Sequence, residues 1–316
     1  MPTRHIIGCM TGTSIDGLDV AMVRIIGAGL SMRAEFVRGL SRPLGTLVDG
    51  LRGLADQRPM TAAQIATLAR EFALLHAEAV AELIQASGIG MSPDLIAVHG
   101  QTVFHAPPVS WQLFNPAVLA AATGVEVVCD LRAGDLARGG QGAPITPLAD
   151  WVMFSDERES RAIVNLGGFC NITVLPAGAR SEASVGDIGG FDACSCNHLL
   201  NAVARALLRC EYDGGGAAAL RGELHADALE DLLGVLASQS RVTRAKSPRS
   251  LGTGDESVEW VSRYRARVPG ENLAATACEG IGQTIARRVQ DCNEVGRIVL
   301  AGGGVHNAAL VKAIAG

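Results

Sequence analysis

The 316-residue chain has no surplus of positive charge: 27 Lys and Arg stand against 32 Asp and Glu, a net charge of −5. Without a basic face it lacks the electrostatic footprint of a nucleic-acid binder. Long apolar runs are missing as well. None approaches the ~20 residues of a membrane span, and Met1–His5 is polar, without a signal peptide's apolar region. The expectation is a soluble, cytoplasmic protein with neither nucleic-acid nor membrane partners. Eight cysteines do not amount to a disulfide scaffold in a chain this long. Cys9, Cys129, Cys170 and Cys278 fall in apolar or tight-turn stretches, as buried reduced thiols do. Two nucleotide signatures are also absent. No GxxxxGK[ST] Walker loop occurs. No GxGxxG occurs either, and the glycine-rich βα turn lies too late for a following βαβ unit, which excludes a Rossmann domain.

What is abundant is glycine, 38 residues, well above the usual ~7%. The glycines gather in short runs such as Gly139-Gly140 and Gly302-Gly303-Gly304, a pattern of loops where backbone approaches a ligand or takes φ > 0. With 48% hydrophobic residues the chain can fill well-packed interiors, and its length predicts two lobes, 1–130 and 131–316. His5–Met10, a polar turn and Leu18–Ile26 read as a hairpin; Arg161–Asn165 and Phe169–Leu175 around Leu166–Gly168 repeat that grammar. Two glycine-turn hairpins, each followed by helices, suggest duplication of one α/β unit. Helical spacing predicts a long helix over Thr61–Ser87 with Thr61 as N-cap, and others at Pro116–Ala122, Cys196–Arg209, Leu224–Leu236, Glu256–Arg267 and Asn272–Cys292. Further strands are expected at Leu95–Val98, Val125–Val128 and Arg297–Leu300, giving an α/β class with a mixed sheet in each lobe. The polar stretch Ser238–Asp255 reads as a mobile loop.

Several segments carry candidate chemistry, each beside a plainer reading. The turn Thr11–Asp19 can hold phosphate oxygens on its amides and hydroxyls, with Asp16 or Asp19 holding Mg²⁺; equally it can be an ordinary hairpin turn. Gly302–Gly304 can let a ligand lie on the backbone near a helix start, or simply form a tight βα turn. His99–His105 offers the donors and acceptors that sugar hydroxyls need, as does the stretch from Asp130 and Arg132 to Gln141; both can be polar loops. Cys194, Cys196 and His198 lack the second ligand pair of a structural metal site. Asp192 can cap a helix or act as a general base.

In order, these segments resemble the anhydro-N-acetylmuramic acid kinase family over essentially the whole chain. Residues 9–19 (CMTGTSIDGLD) resemble M-S-G-T-S-x-D-G-x-D, with Thr11 in place of Ser. Residues 99–105 match H-G-Q-T-V-x-H, and 129–144 match C-D-F-R-x-x-D-x-A-x-G-G-Q-G-A-P. Residues 165–173 (NLGGFCNIT) are similar to N-L-G-G-I-x-N-I-T, 190–201 to G-F-D-T-G-P-G-N-x-L-x-D, and 301–307 to G-G-G-x-x-N. Tyr212-Asp213 with Gly216 resembles Y-D-x-x-G.

The resemblance implies the actin-like ATPase fold, two ribonuclease-H-like lobes around a nucleotide cleft. It implies an ATP- and Mg²⁺-dependent sugar kinase acting in peptidoglycan recycling, with Asp192 as catalytic base. Water deprotonated by that aspartate opens the 1,6-anhydro bridge at C1, and the released O6 takes the γ-phosphoryl group. Nucleotide contacts then fall on Gly12, Thr13, Ser14, Asp16, Gly17, Asp19, Asn165, Gly167, Gly168, Gly302, Gly303, Gly304 and Asn307, with Asp16 and Asp19 towards the metal. Sugar contacts fall on His99, Gln101, Thr102, Asp130, Arg132, Gln141 and Asn197. A homodimer is compatible with this reading. Three departures keep alternatives open. Ala193–Cys196 replaces T-G-P-G, Pro248–Gly252 only approximates P-K-S-T-G-R-E, and the sequence ends at Gly316, short of the family's E-A-x-A-F helix. A catalytically impaired relative, or a kinase of another sugar on this fold, are the alternatives.

Overall fold

Both halves of the chain contain a meander of three antiparallel strands whose first member also takes a parallel neighbour. The computed structural model describes every residue except 1, 14, 89, 91, 179, 182, 240–250, 253, 293 and 294. It divides into two units, Met1–Ile145 and Thr146–Gly316. In unit 1, β1 (Thr3–Thr11), β2 (Leu18–Ile26) and β3 (Arg33–Arg42) form the meander, and β4 (Leu95–Val98) lies parallel to β1. A separate hairpin, β5 (Gln101–Ala106) and β6 (Val109–Leu113), precedes β7 (Val127–Val128), which closes the order β3-β2-β1-β4-β7. Helices α1 (Leu47–Ala55), α2 (Ala62–Ser87), α3 (Pro116–Thr123) and α4 (Ala133–Leu136) complete the unit. In unit 2, α5 (Pro147–Phe154) precedes β8 (Arg161–Leu166), β9 (Phe169–Leu175) and β10 (Gly189–Ser195). Then come α6 (Asn197–Val203), α7 (Ala226–Gln239), α8 (Val258–Tyr264), α9 (Gly270–Gln290), β11 (Arg297–Ala301) and α10 (Ala308–Ala315). The sheet order is β10-β9-β8-β11, with β11 parallel to β8. Each unit is thus ribonuclease-H-like, and the duplication expected from the two hairpins is present in strand order and direction.

Local chemistry explains the elements. Thr61 and Gln64 form a reciprocal capping box at the start of α2, and Gly88 ends it in the left-handed region. Along β8 and β9, Ala162, Val164, Leu166, Cys170 and Ile172 alternate onto one face and enter the unit 2 core with Leu273, Ala277, Ile281 and Ile285 of α9. Cys194 and Cys196 are fully buried in that core. Unit 1 has its own core, built from Ile7, Leu18, Met22, Phe72, Leu83 and Ile96 among others.

Four expectations are corrected. The division falls between Ile145 and Thr146, after the expected 130/131 boundary, because Arg132 ties the following loop to unit 1: it donates to His99 Nε2 and to the Gly142 carbonyl. Asp192 lies in β10, a strand hidden from pattern reading by glycine and aspartate, which rarely fill strands; the N-cap position of α6 is Cys196, so Asp192 is no helix cap. The helix expected over Cys196–Arg209 leaves α geometry at Val203, continues as a π turn over Ala204–Leu208, and stops where Arg209 takes φ 57°. The helix expected over Glu256–Arg267 is the shorter α8. Ser14, Pro248 and most of the Ser238–Asp255 stretch lie outside the described residues. Among the described residues no helix is long and apolar enough to cross a membrane.

One buried group links unit 1 to pH. His76 of α2 is fully buried against Phe72 and Phe114, with ring centroids 4.4 and 4.9 Å away. Its Nδ1–H donates to the Phe72 carbonyl at 2.8 Å, and Nε2 has no partner among the described residues. Burial lowers its pKa from 6.5 to about 4. The unfolded chain therefore binds a proton from pH 6.5 downward while the folded chain resists until about 4. Stability is complete above pH 6.5 and is lost as pH falls towards 4, by about 3 kcal/mol for this group. His76→Phe keeps the aromatic cluster and removes the titration, so hydrogen exchange across α2 at pH 4.5 should be slower in the variant than in wild type. Equal acid sensitivity in both would rule out His76 as a source of the loss.

Candidate active site

Unit 1 gathers three of the expected motifs by hydrogen bonds. Thr11 Oγ1 donates to the Gly100 carbonyl at 3.2 Å, and Gln101 Nε2 donates to the Gly12 carbonyl at 3.2 Å, so the 11–19 turn and the 99–105 segment are joined. Arg132 Nη2 lies 2.9 Å from His99 Nε2 and Nη1 2.6 Å from the Gly142 carbonyl, which brings in the third. A guanidinium only donates, so His99 Nε2 accepts and the proton sits on Nδ1, which donates to the Gly100 carbonyl at 2.8 Å. Burial, then the charge of Arg132, lowers the His99 pKa to about 4, so the ring is neutral and holds Arg132 as an acceptor. Asp135, which pattern reading passed over, organises the loop: its Oδ2 accepts the Gly142 amide at 2.7 Å, and a Cβ on Gly140 would lie 2.1 Å from the same carboxylate. Asp130 takes φ 56° at the loop entrance. Gln101 is buried with its Oε1 unpaired among the described residues, and the Thr102 hydroxyl is likewise buried and unpaired. Unpaired buried polar atoms of this kind are what a polar ligand satisfies.

Asp16 and Asp19 are both exposed, and Asp19 Oδ1 accepts from Ser41 Oγ. No group of three or more His, Cys, Asp or Glu among the described residues is placed to hold a metal. Mg²⁺ needs no such cage. It takes one or two carboxylates, keeps several waters and leans on substrate phosphates, a demand that a single exposed carboxylate such as Asp16 or Asp19 can meet.

Unit 2 builds the other half of the expected residues around one corner of its sheet. The β8–β9 turn at Gly167-Gly168 is pinned by the start of α6: the Cys196 amide donates to the Gly168 carbonyl at 2.9 Å and the Asn197 amide to the Gly167 carbonyl at 3.0 Å. Asn197 Nδ2 donates to the Leu166 carbonyl at 3.0 Å, so this residue, expected at the sugar, braces the glycine turn. The Gly302–Gly304 turn packs on the same place. A Cβ on Gly302, at φ 82°, would meet Asn165 Oδ1 at 2.4 Å and the Leu166 carbonyl oxygen at 2.9 Å; one on Gly304 would meet Leu166 Cβ at 2.6 Å. A Cβ on Gly303 would meet nothing nearer than Asn197 Nδ2 at 3.9 Å. The outer two glycines therefore let the turns close on each other, and the middle one is left facing open space. Asn307 Oδ1 accepts the Leu310 amide at 3.0 Å and caps α10.

Across the sheet the register aligns Asp192 of β10 with Asn171 of β9, Asn171 with Asn165 of β8, and Asn165 with Ala301 of β11. Direct antiparallel partners share a face, and this face is the one turned away from the Cys170 and Ile172 core. Asp192 is 7% exposed, and its Oδ2 accepts the Leu251 amide at 2.8 Å. A carboxylate, two amides and two glycine turns thus occupy one level of one sheet, the composition of a site that handles both a proton and a phosphate.

That combination matches a known pattern: the family model described as anhydro-N-acetylmuramic acid kinase covers residues 4–316. The chain belongs to this family. Curated anhydro-N-acetylmuramic acid kinases similar to it include that of Salinibacter ruber, 33% identical over 98% of this chain and 81% of the relative. That of Chromohalobacter salexigens is 35% identical over 98% of this chain and 83% of the relative. That of Francisella tularensis subsp. novicida is 30% identical over 98% and 84%. Within the family frame, Asn171 and Asp135 are the residues that motif reading had left unassigned. The hairpin register decides Asn171: Leu166 pairs with Cys170 across the three residues 167–169, which sets position 165 opposite position 171, whereas a two-residue turn would have set 170 there.

Proposed function

We propose that this member of the anhydro-N-acetylmuramic acid kinase family opens 1,6-anhydro-N-acetylmuramic acid with water and transfers the γ-phosphoryl group of ATP to O6. The product is N-acetylmuramic acid 6-phosphate, and the setting is cytoplasmic recycling of cell-wall sugar. The observation that carries this reading is the row in unit 2, where a buried carboxylate shares one sheet face with two packed glycine turns. Asp192 is the base. Its Oδ2 accepts the Leu251 amide, which orients the carboxylate that takes the proton from water. The amides of the glycine turns receive phosphate oxygens, with Gly303 as the point of closest approach.

In unit 1, the 11–19 turn offers further amides, and Asp16 and Asp19 would hold Mg²⁺, which supplies neutralisation of phosphate charge. Neutral His99 keeps Arg132 in place, and Gln101 and Thr102 present unpaired polar atoms suited to sugar hydroxyls. Incubating the full chain with ATP and the anhydro sugar should give sugar-dependent ADP and a product whose mass equals substrate plus water plus one phosphoryl group. ADP release indifferent to the sugar, or a product lacking the added water, would overturn the proposal.

A further inference from the structure

β9 carries two polar side chains on the face it shares with Asp192, and the protein uses only one of them. Thr173 Oγ1 donates to Asp150 Oδ2 at 2.6 Å, which fastens α5 to the sheet. Asn171, half-buried, makes no side-chain hydrogen bond among the described residues, although its neighbours in register are Asp192 on one side and Asn165 on the other. Adjacent strands lie about 4.8 Å apart, so Asn171 stands one strand from the base and one strand from the residue wedged between the two glycine turns. A Cβ on Gly302 would lie 2.4 Å from Asn165 Oδ1, and one on Gly167 would lie 3.9 Å from Asn165 Nδ2. Asn171 is therefore midway between the place where a proton is taken and the place where phosphate is held.

We propose that Asn171 is a catalytic residue whose side-chain NH₂ donates to the oxygen that passes from carbon to phosphorus. The inference rests on the reaction proposed above. In that reaction a water O–H bond breaks, its proton goes to Asp192, and the water oxygen bonds to C1. The C1–O6 bond breaks towards O6, the O6–P bond forms, and the γ-phosphorus parts from the bridging oxygen of ADP. O6 carries the most negative charge while it belongs fully to neither atom. An amide suits that position: it stabilises the developing charge and, being neutral, does not discourage Asp192 from holding a negative charge before the proton arrives. A second carboxylate there would repel both.

The test compares Asn171→Ala, Asn171→Asp and Asn171→Ser in the full chain, reading kcat, KM for sugar, ATP affinity by calorimetry and thermal unfolding. Loss of one preorganised donor lowers kcat by about 10²–10³-fold, with ATP affinity held within roughly three-fold. Asn171→Asp keeps size and shape but loses the donor and adds a repelling charge, so it should be at least as impaired as Asn171→Ala while unfolding like wild type. Asn171→Ser should recover part of the rate. If Asn171→Ala destabilises the chain, the isosteric Asp variant carries the test. A wild type with sugar-dependent turnover and an Asp variant of near-normal kcat overturns the role of Asn171 alone. A wild type with no sugar-dependent ADP formation overturns the reaction and this role with it.

Discussion

Replacing Asp192 with Asn should lower turnover roughly 10²–10⁴-fold and leave folding and nucleotide affinity close to wild type. The carboxylate is 7% exposed and receives the Leu251 amide at 2.8 Å. Asn keeps the size and shape of the side chain, and its carbonyl oxygen can take the Leu251 N–H. What changes is basicity, because an amide nitrogen cannot accept a proton from water. Asp192→Ala is the less informative variant. It leaves the buried Leu251 amide unpaired, which costs about 1–3 kcal/mol, and mixes a stability loss into the rate. The measurements are steady-state kcat with the anhydro sugar, calorimetric ATP affinity and a melting curve for each variant. Near-normal kcat in Asp192→Asn would remove Asp192 from the role of base.

The three glycines of the 302–304 turn should separate into two kinds. Gly302→Ala places a Cβ 2.4 Å from Asn165 Oδ1 and 2.9 Å from the Leu166 backbone, at a φ of 82°. Gly304→Ala places one 2.6 Å from Leu166 Cβ. Overpacking of this kind costs about 1–3 kcal/mol, with left-handed strain adding to the first, so both variants should melt at lower temperature. Gly303→Ala meets nothing closer than 3.9 Å and should melt like wild type. Gly303→Val then carries a branched side chain into open space that the proposal assigns to phosphate, and ATP affinity should fall roughly 10–100-fold, the equivalent of about 1.4–2.8 kcal/mol. Unchanged ATP affinity in Gly303→Val, with the fold intact, would place the nucleotide elsewhere.

The two kinds of glycine show how far pattern reading reaches. All three are equal in the sequence, a run at the end of a strand. Only the packing of Gly302 and Gly304 against Leu166 and Asn165 distinguishes closure of the turn from exposure to a ligand. Asn197 is a similar case: motif order places it beside Asp192, whereas its side chain reaches the Leu166 carbonyl and braces a turn. The helix ends also depended on more than periodicity. α2 was legible at both ends, with Thr61 and Gln64 as its cap and Gly88 as its stop, because those signals are local. The end of α6 was not, because no Gly or Pro marks the change at Val203 from α to π geometry.

The sequence by itself determined the α/β class, the duplicated glycine-turn hairpins, the long capped helix and the family, through the order of its motifs. These rest on contacts between residues near in the chain, whose spacing is visible without a fold. Tertiary structure alone decided that Asp192 is a strand residue in register with Asn171 and Asn165, that His99 and Arg132 hold each other across 33 positions, and that His76 is sealed among aromatics. The reason is physical. Which side chains share a sheet face, and which polar atoms go unpaired, follow from pairing between segments far apart in sequence, and the free energy of that pairing leaves no local mark on the residues it joins.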